Sequence, residues 1–133
     1  MSMKLPIYAP KQYWKHREEF DANECNGCGS ELDLSGRLVP NTIYGLDISK
    51  DACCPHDFGY KYGKTWMDKY FIDVMFLYNM VALILNKGGW LVLPRLLRAT
   101  KYFVAVVAKG NDSFAHEKIV SDAKKITFVG EFR

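Results

Sequence analysis

The sequence predicts a mainly helical single domain, on three observations. Its 133 residues are 49% hydrophobic and 14% aromatic, enough apolar material for one core and too much for a disordered chain. Met67, Phe71, Val74, Tyr78, Val81 and Leu85 alternate at spacings of three and four, as one side of an α-helix requires. Helix punctuation brackets that stripe: Thr65 followed by Asp68 makes a capping box, and Gly88-Gly89 closes the run.

The elements follow in order. Pro6, Pro10, Gly27, Gly29, Gly36, Pro40 and Gly45 punctuate the first fifty residues too often for long elements, although Lys11 to Phe20 can form a short helix. Residues 1–24 read as an N-terminal arm, and 25–31, which begins CNGCGS, as a glycine-rich loop able to present backbone groups to a ligand. A helix is expected from Ser49 or Asp51, either of which can cap it, with Pro55 tolerated in the first turn and Gly63 closing it. The striped helix follows, so residues 51–86 form a helix pair. Within the C-terminal region, 90–133, a third helix is expected from Pro94 to about Lys109, with Gly110 as its stop. Ser113 to Lys125 can add a short helix. Ile126 to Phe132 has strand character without an evident partner.

Charge narrows the partners. The formal net charge is +3, but between residues 91 and 110 Arg95, Arg98, Lys101 and Lys109 stand with no acid among them. A segment that is both basic and strongly apolar suits an anionic lipid headgroup layer better than a nucleic acid, which asks for a broader polar and basic patch. Trp90, Leu91, Arg95 and Arg98 are candidates for such a surface, while the simpler reading is a core helix edged with solvated arginines. The first twenty residues lack the apolar centre of a secretion signal. The longest uncharged apolar run, Val74 to Leu85, contains Asn79 and falls short of the roughly 20 residues that span a bilayer. Release by lysis, a dedicated secretion machine and a cytoplasmic home all remain compatible, and oligomeric state is not legible. The four cysteines leave free thiols, a metal site and disulfides open.

The chemistry concentrates around DACCPHDFGY, residues 51 to 60. His56 and Tyr60 lie four apart on one helix face. If the next helix folds straight back from Gly63, His56, seven residues before it, and Asp68, five after it, differ in height by roughly 3 Å. A carboxylate there would hold one imidazole nitrogen and leave the other as a general base for water; the plainer use of Asp68 is helix capping. Asp73, five residues further, is a second candidate on a different face, so only one of the two acids can serve. Asp57 points about 100° away from His56 and can face a cation held by the glycine loop. Cys28 and Cys53 would pin loop to helix if bridged. From another class, Cys25, Cys28, Cys53 or Cys54 and His56 could instead hold structural zinc in an interaction module.

Ala52-Cys53-x-x-His56-Asp57-x-x-Tyr60 resembles the active-site helix of secreted phospholipases A2, especially the short bacterial, fungal, phage and parvovirus-type members. CNGCGS resembles the calcium loop that precedes that helix, LVPNTIYGLD the linker between them, and Asp68-x-x-Phe71 the D-x-x-F pattern of the second catalytic acid; residues 99 to 110 loosely resemble the aromatic helix that ends many bacterial members. The resemblance implies a glycine-rich calcium loop followed by two antiparallel active-site helices, with further helices after them. It implies His56 as the base and Asp68 as its orienting acid, with Tyr60 in support. Calcium would be held by Asp57 with main-chain carbonyls near Gly27, Gly29 and Glu31, and a disulfide would join Cys28 to Cys53. The implied reaction is hydrolysis of the sn-2 ester of a glycerophospholipid at a membrane surface, and a catalytically silent membrane-binding relative is the further alternative. The adjacent cysteines sit one step later than in the animal enzymes, so Cys25 and Cys54 have no assigned partner and can pair with each other or stay free. Ser30 and Glu31 stand where further glycine is expected in the loop.

Overall fold

The structure, a computed structural model, describes residues 4–23, 25, 42–63, 65–115 and 129–133, without the side chains of 22, 23 and 109–115. The fold is mainly helical. Strand β1 (Tyr8–Pro10) leads into helix α1 (Lys11–Asn23), and a small hairpin, β2 (Thr42–Ile43) and β3 (Leu46–Asp47), precedes helix α2 (Cys54–Tyr62). Helices α3 (Trp66–Lys87) and α4 (Val92–Ala115) follow, and β4 (Gly130–Phe132) ends the chain. Among the described residues no helix is long and apolar enough to cross a membrane.

The expected helices are present, with shifted ends. Helix α1 runs three residues past Phe20, with a kink at His16 (φ −117°, ψ 19°). A five-residue π-helical turn, Ser49–Cys53, introduces α2. Just before it, the Asp47 carboxylate accepts from the Ser49 hydroxyl (2.6 Å) and amide (2.8 Å), bonds that also hold that carboxyl below its usual range. Asp51, an expected cap, instead pairs with Arg17 of α1 at 2.6 Å. Pro55 sits in the first turn of α2, as its missing N–H allows. Helix α4 continues through Gly110 to Ala115 rather than stopping there; most of the expected Ser113–Lys125 helix lies outside the described residues. The strand at the C-terminus does have a partner: Gly130–Phe132 pairs antiparallel with Tyr8–Pro10.

The apolar stripe of α3 is not its buried face. Met67, Val74 and Leu85 are exposed, whereas the buried positions include Asp68, Lys69, Ile72, Asp73, Phe76, Asn79, Met80 and Ile84. Asn79 faces β1, its amide donating to the Tyr8 carbonyl and its oxygen accepting from the Tyr8 amide, both at 2.8 Å. Seven residues on, Asn86 does the same for Leu5 at 2.9 and 2.7 Å. Gly88 (φ 65°) and Gly89 (φ 85°) then turn the chain in a conformation that side chains resist.

Two apolar clusters flank α3. One joins Tyr13, Trp14 and Phe20 of α1 to Phe58 and Ile72, with edge-to-face ring pairs such as Phe20–Phe58 at 5.3 Å. The other joins Ile43, Ile48, Phe76, Met80 and Ile84 to Ala99 and Tyr102 of α4. Arg95 is buried here, correcting its expected place on a lipid-facing surface: it donates to the carbonyls of Ile43 (3.2 Å) and Tyr44 (2.8 Å). These bonds hold the Tyr44–Gly45 turn, where both residues have positive φ (45° and 84°) as a tight hairpin requires.

At Gly59, α2 packs directly against Ile72 of α3. A Cβ there would lie 2.3 Å from Ile72 Cδ1 and under 3 Å from two more of its side-chain carbons. Gly59→Ala is therefore expected to lower unfolding free energy by about 1–3 kcal/mol through overpacking, read as a shift in urea midpoint. The double variant with Ile72→Ala should lose less than the sum of the single variants.

Candidate functional site

On α2, His56 and Tyr60 share one face; on α3, Lys69, Asp73 and Phe76 share another at spacings of four and three. Packing α2 against α3 brings the two sets together. His56 Nε2 lies 2.9 Å from Asp73 Oδ1, and the Tyr60 hydroxyl donates to the same oxygen at 2.7 Å. The rings of Tyr60 and Phe76 flank the imidazole, with centroids 4.2 and 4.8 Å from it. The Lys69 ammonium is ion-paired with Asp73 Oδ2 at 2.6 Å, an oxygen that among the described residues accepts no hydrogen bond, and it donates to the carbonyls of Val106 (3.3 Å) and Val107 (3.1 Å) on α4.

The acid facing His56 is thus Asp73, which corrects the assignment to Asp68. Asp68 is buried at the start of α3, where its backbone N–H donates to the Thr65 hydroxyl oxygen (3.1 Å) and its carboxylate accepts from the Thr65 N–H (3.3 Å). The error is one of register. Counting from Gly63 ignores the residues spent crossing between helices. Counted from the helix ends, His56 is six residues before Tyr62 and Asp73 seven after Trp66, a height difference of about 1.5 Å, whereas Asp68 is two after Trp66 and misses by about 6 Å. A sequence signal for Asp73 exists: Asp73-Val-Met-Phe76 repeats the D-x-x-F spacing of Asp68-Lys-Tyr-Phe71. No motif pointed to Lys69.

A carboxylate only accepts, so the nitrogen facing Asp73 carries the hydrogen and Nδ1 is left to take a proton. Access differs across the pair: 10% of the His56 side chain is exposed, against 1% of Asp73. Burial, then the charge of Asp73, pushes the Tyr60 hydroxyl far above the usual phenol range, so it remains a donor to Asp73 at any pH the fold meets. The arrangement is an oriented imidazole, held at Nε2 by Asp73 and with Nδ1 outside that bond.

Cys25 is bridged to Cys54 (Cα–Cα 5.4 Å), the pairing that the family resemblance left unassigned, and Cys53 is also in a disulfide. Its expected partner Cys28 lies outside the described residues. The bridge closes a sequence separation of 29, worth about 3–4 kcal/mol by chain entropy. It also leaves Cys25 and Cys54 without the thiolates that a zinc module would use. Asp57 is half-buried, with Oδ2 3.8 Å from Cys25 Sγ. Its carboxylate therefore stands beside the residue from which the glycine loop departs, a position that fits an acid sharing a cation with that loop. Gly27, Gly29 and Glu31 lie outside the described residues, and among the described residues no three ligating side chains converge on one point. His16 is exposed. Comparison with known protein families, curated proteins and solved structures finds no match to this chain.

The two acids should separate experimentally. Asp73→Asn leaves Lys69 buried without its counter-charge and is expected to cost about 3–5 kcal/mol, while Asp68→Asn weakens a cap at about 1 kcal/mol. In 15N-edited NMR the His56 Nε2–H signal should keep its position in Asp68→Asn and move or vanish in Asp73→Asn.

Proposed function

We propose that this protein is a calcium-dependent phospholipase A2, in which His56 activates water against the sn-2 ester of a glycerophospholipid. The observation that carries the reading is the His56–Asp73 pair, with Nε2 tied to a buried carboxylate and Nδ1 free to accept a proton. Nδ1 takes a proton from water as the water oxygen bonds to the ester carbonyl carbon. Asp73 stabilises the imidazolium that results, held in place by the Tyr60 hydroxyl. The imidazolium then returns the proton to the glycerol oxygen as the carbon–oxygen bond breaks, leaving a fatty acid and a lysophospholipid. Calcium held by Asp57 with carbonyls near Gly27, Gly29 and Glu31 would supply positive charge to the ester oxygen when bound.

The partner surface in this reading is a phospholipid membrane. Trp90, at the α3–α4 turn, is 89% exposed, and Leu93 and Leu97 on α4 are each 66% exposed. With Tyr44, Pro94, Arg98 and Lys101, these leucines line a shallow groove whose charges are all positive. Arg98 is held over the Tyr44 ring, 5.1 Å from its centroid. A lipid headgroup layer favours that mixture of aromatic, aliphatic and cationic groups.

Mixed phospholipid vesicles with calcium are expected to release fatty acid from the sn-2 position. Chelator should abolish the release, and His56→Ala should lower it about 10²–10⁴-fold. Turnover that survives either change would refute the reading, and a folded wild-type chain with no turnover would mark a silent, membrane-binding relative. For the surface, vesicles containing phosphatidylglycerol are expected to bind the His56→Ala protein, and Trp90→Ala or the pair Arg98→Glu and Lys101→Glu should weaken that binding about tenfold or more. Sedimentation unaffected by both changes would place the lipid contact elsewhere.

A further inference from the structure

Lys69 takes no part in the steps above, yet it is the cation closest to the acid that orients His56. Its side chain is fully buried, at 0% exposure, beside Asp73 at 1%. Lysine is rarely placed so deeply. Ordering its long side chain and stripping its ammonium of water are both unfavourable, and an i,i+4 pair at a surface would contribute only tenths of a kcal/mol. For packing alone, leucine or methionine would fill the position at lower cost.

The contacts say what the charge is used for. The ammonium donates to the carbonyls of Val106 and Val107 and is ion-paired with Asp73 Oδ2. The two carbonyl bonds tether the charge to α4, so it stands against the carboxylate from a fixed point rather than as a swinging arm. The Asp73 carboxylate can rotate about its last bond, and His56 and Tyr60 both draw on Oδ1 alone. Lys69 is what holds the other oxygen.

We propose that Lys69 is a positioning residue, whose ammonium locks the rotation of the Asp73 carboxylate and ties it to α4, so that His56 is held in one orientation. This rests on the reading of His56 as the base. The tie to α4 means that the orientation of the imidazole depends on a helix that contributes no side chain to the pair.

The test is a double-mutant cycle with Lys69→Met and Asp73→Asn, on dihexanoyl phosphatidylcholine as a soluble monomer with calcium, so that vesicle binding does not enter. Lys69→Met is expected to lower kcat about ten- to a hundredfold, with KM within about twofold. In the Asp73→Asn background the same change should add no further loss. The His56 Nε2–H signal should move in Lys69→Met. An unchanged kcat and signal, or the same loss in both backgrounds, would overturn the proposal. Should Lys69→Met not fold, Lys69→Arg keeps the charge and alters its reach; an intermediate kcat and a displaced signal support the role, and wild-type values for both reject it. If the wild-type protein hydrolyses no phospholipid, the phospholipase reading falls on its own, and the NMR comparison still decides whether Lys69 orients the pair.

Discussion

A carboxylate taken out of water must find its partners inside the protein, and Asp73 imposes that demand on the centre of this fold. Desolvating such a group costs several kcal/mol unless opposite charge and hydrogen-bond donors replace the lost water. His56 and Tyr60 come from α2, Lys69 from the turn of α3 before it, and the lysine needs acceptors of its own, which α4 supplies. Three helices are thereby held in one register. The two apolar clusters to either side provide the bulk of the packing, but apolar contacts tolerate sliding. The polar centre does not, because each donor has a particular oxygen to reach.

Much of this was legible in the sequence, and the failures have a common physical cause. Thr65 and Asp68 announced the start of α3 because capping is local chemistry, and Gly88-Gly89 announced its end because few other residues adopt that backbone. Hydrophobic periodicity selected the wrong face of the same helix. Asp68, Lys69, Asp73 and Asn79 are buried and interrupt the apolar residues of the inward face, while Met67, Val74 and Leu85 stand outside and read as core. A helix that buries a site is poorly described by a rule that assigns polarity to solvent. The choice between Asp68 and Asp73 failed for a different reason: a D-x-x-F spacing fits both, and only the length of chain consumed in the turn decides between them.

Contacts between distant parts of the chain were beyond reach of any local signal. Arg95 looked like a surface cation because its neighbours are basic, yet it secures a turn some fifty residues earlier, at Tyr44 and Gly45. The bridge between Cys25 and Cys54 follows from where α2 begins relative to the N-terminal arm. It sets Cys25, the first residue of the glycine-rich stretch, beside Asp57 on α2. A sulfur bonded to sulfur is not a thiolate, so the zinc alternative would need the Cys25–Cys54 bridge to open before either residue could be a ligand.

The two asparagines of α3 make a ruler. Asn79 and Asn86 are seven residues apart, about 10.5 Å of helix. Leu5 and Tyr8, which they hold, are three residues apart, about 10 Å of extended chain. The two repeats are commensurate only at that ratio, and each side-chain amide offers both a donor and an acceptor, as a neighbouring strand would. Helix α3 thus presents a strand-like edge at two points, and the arm can dock in a single alignment. One residue added or removed between the asparagines, or between Leu5 and Tyr8, would put the second clasp out of step with the first, even though no apolar contact had been lost.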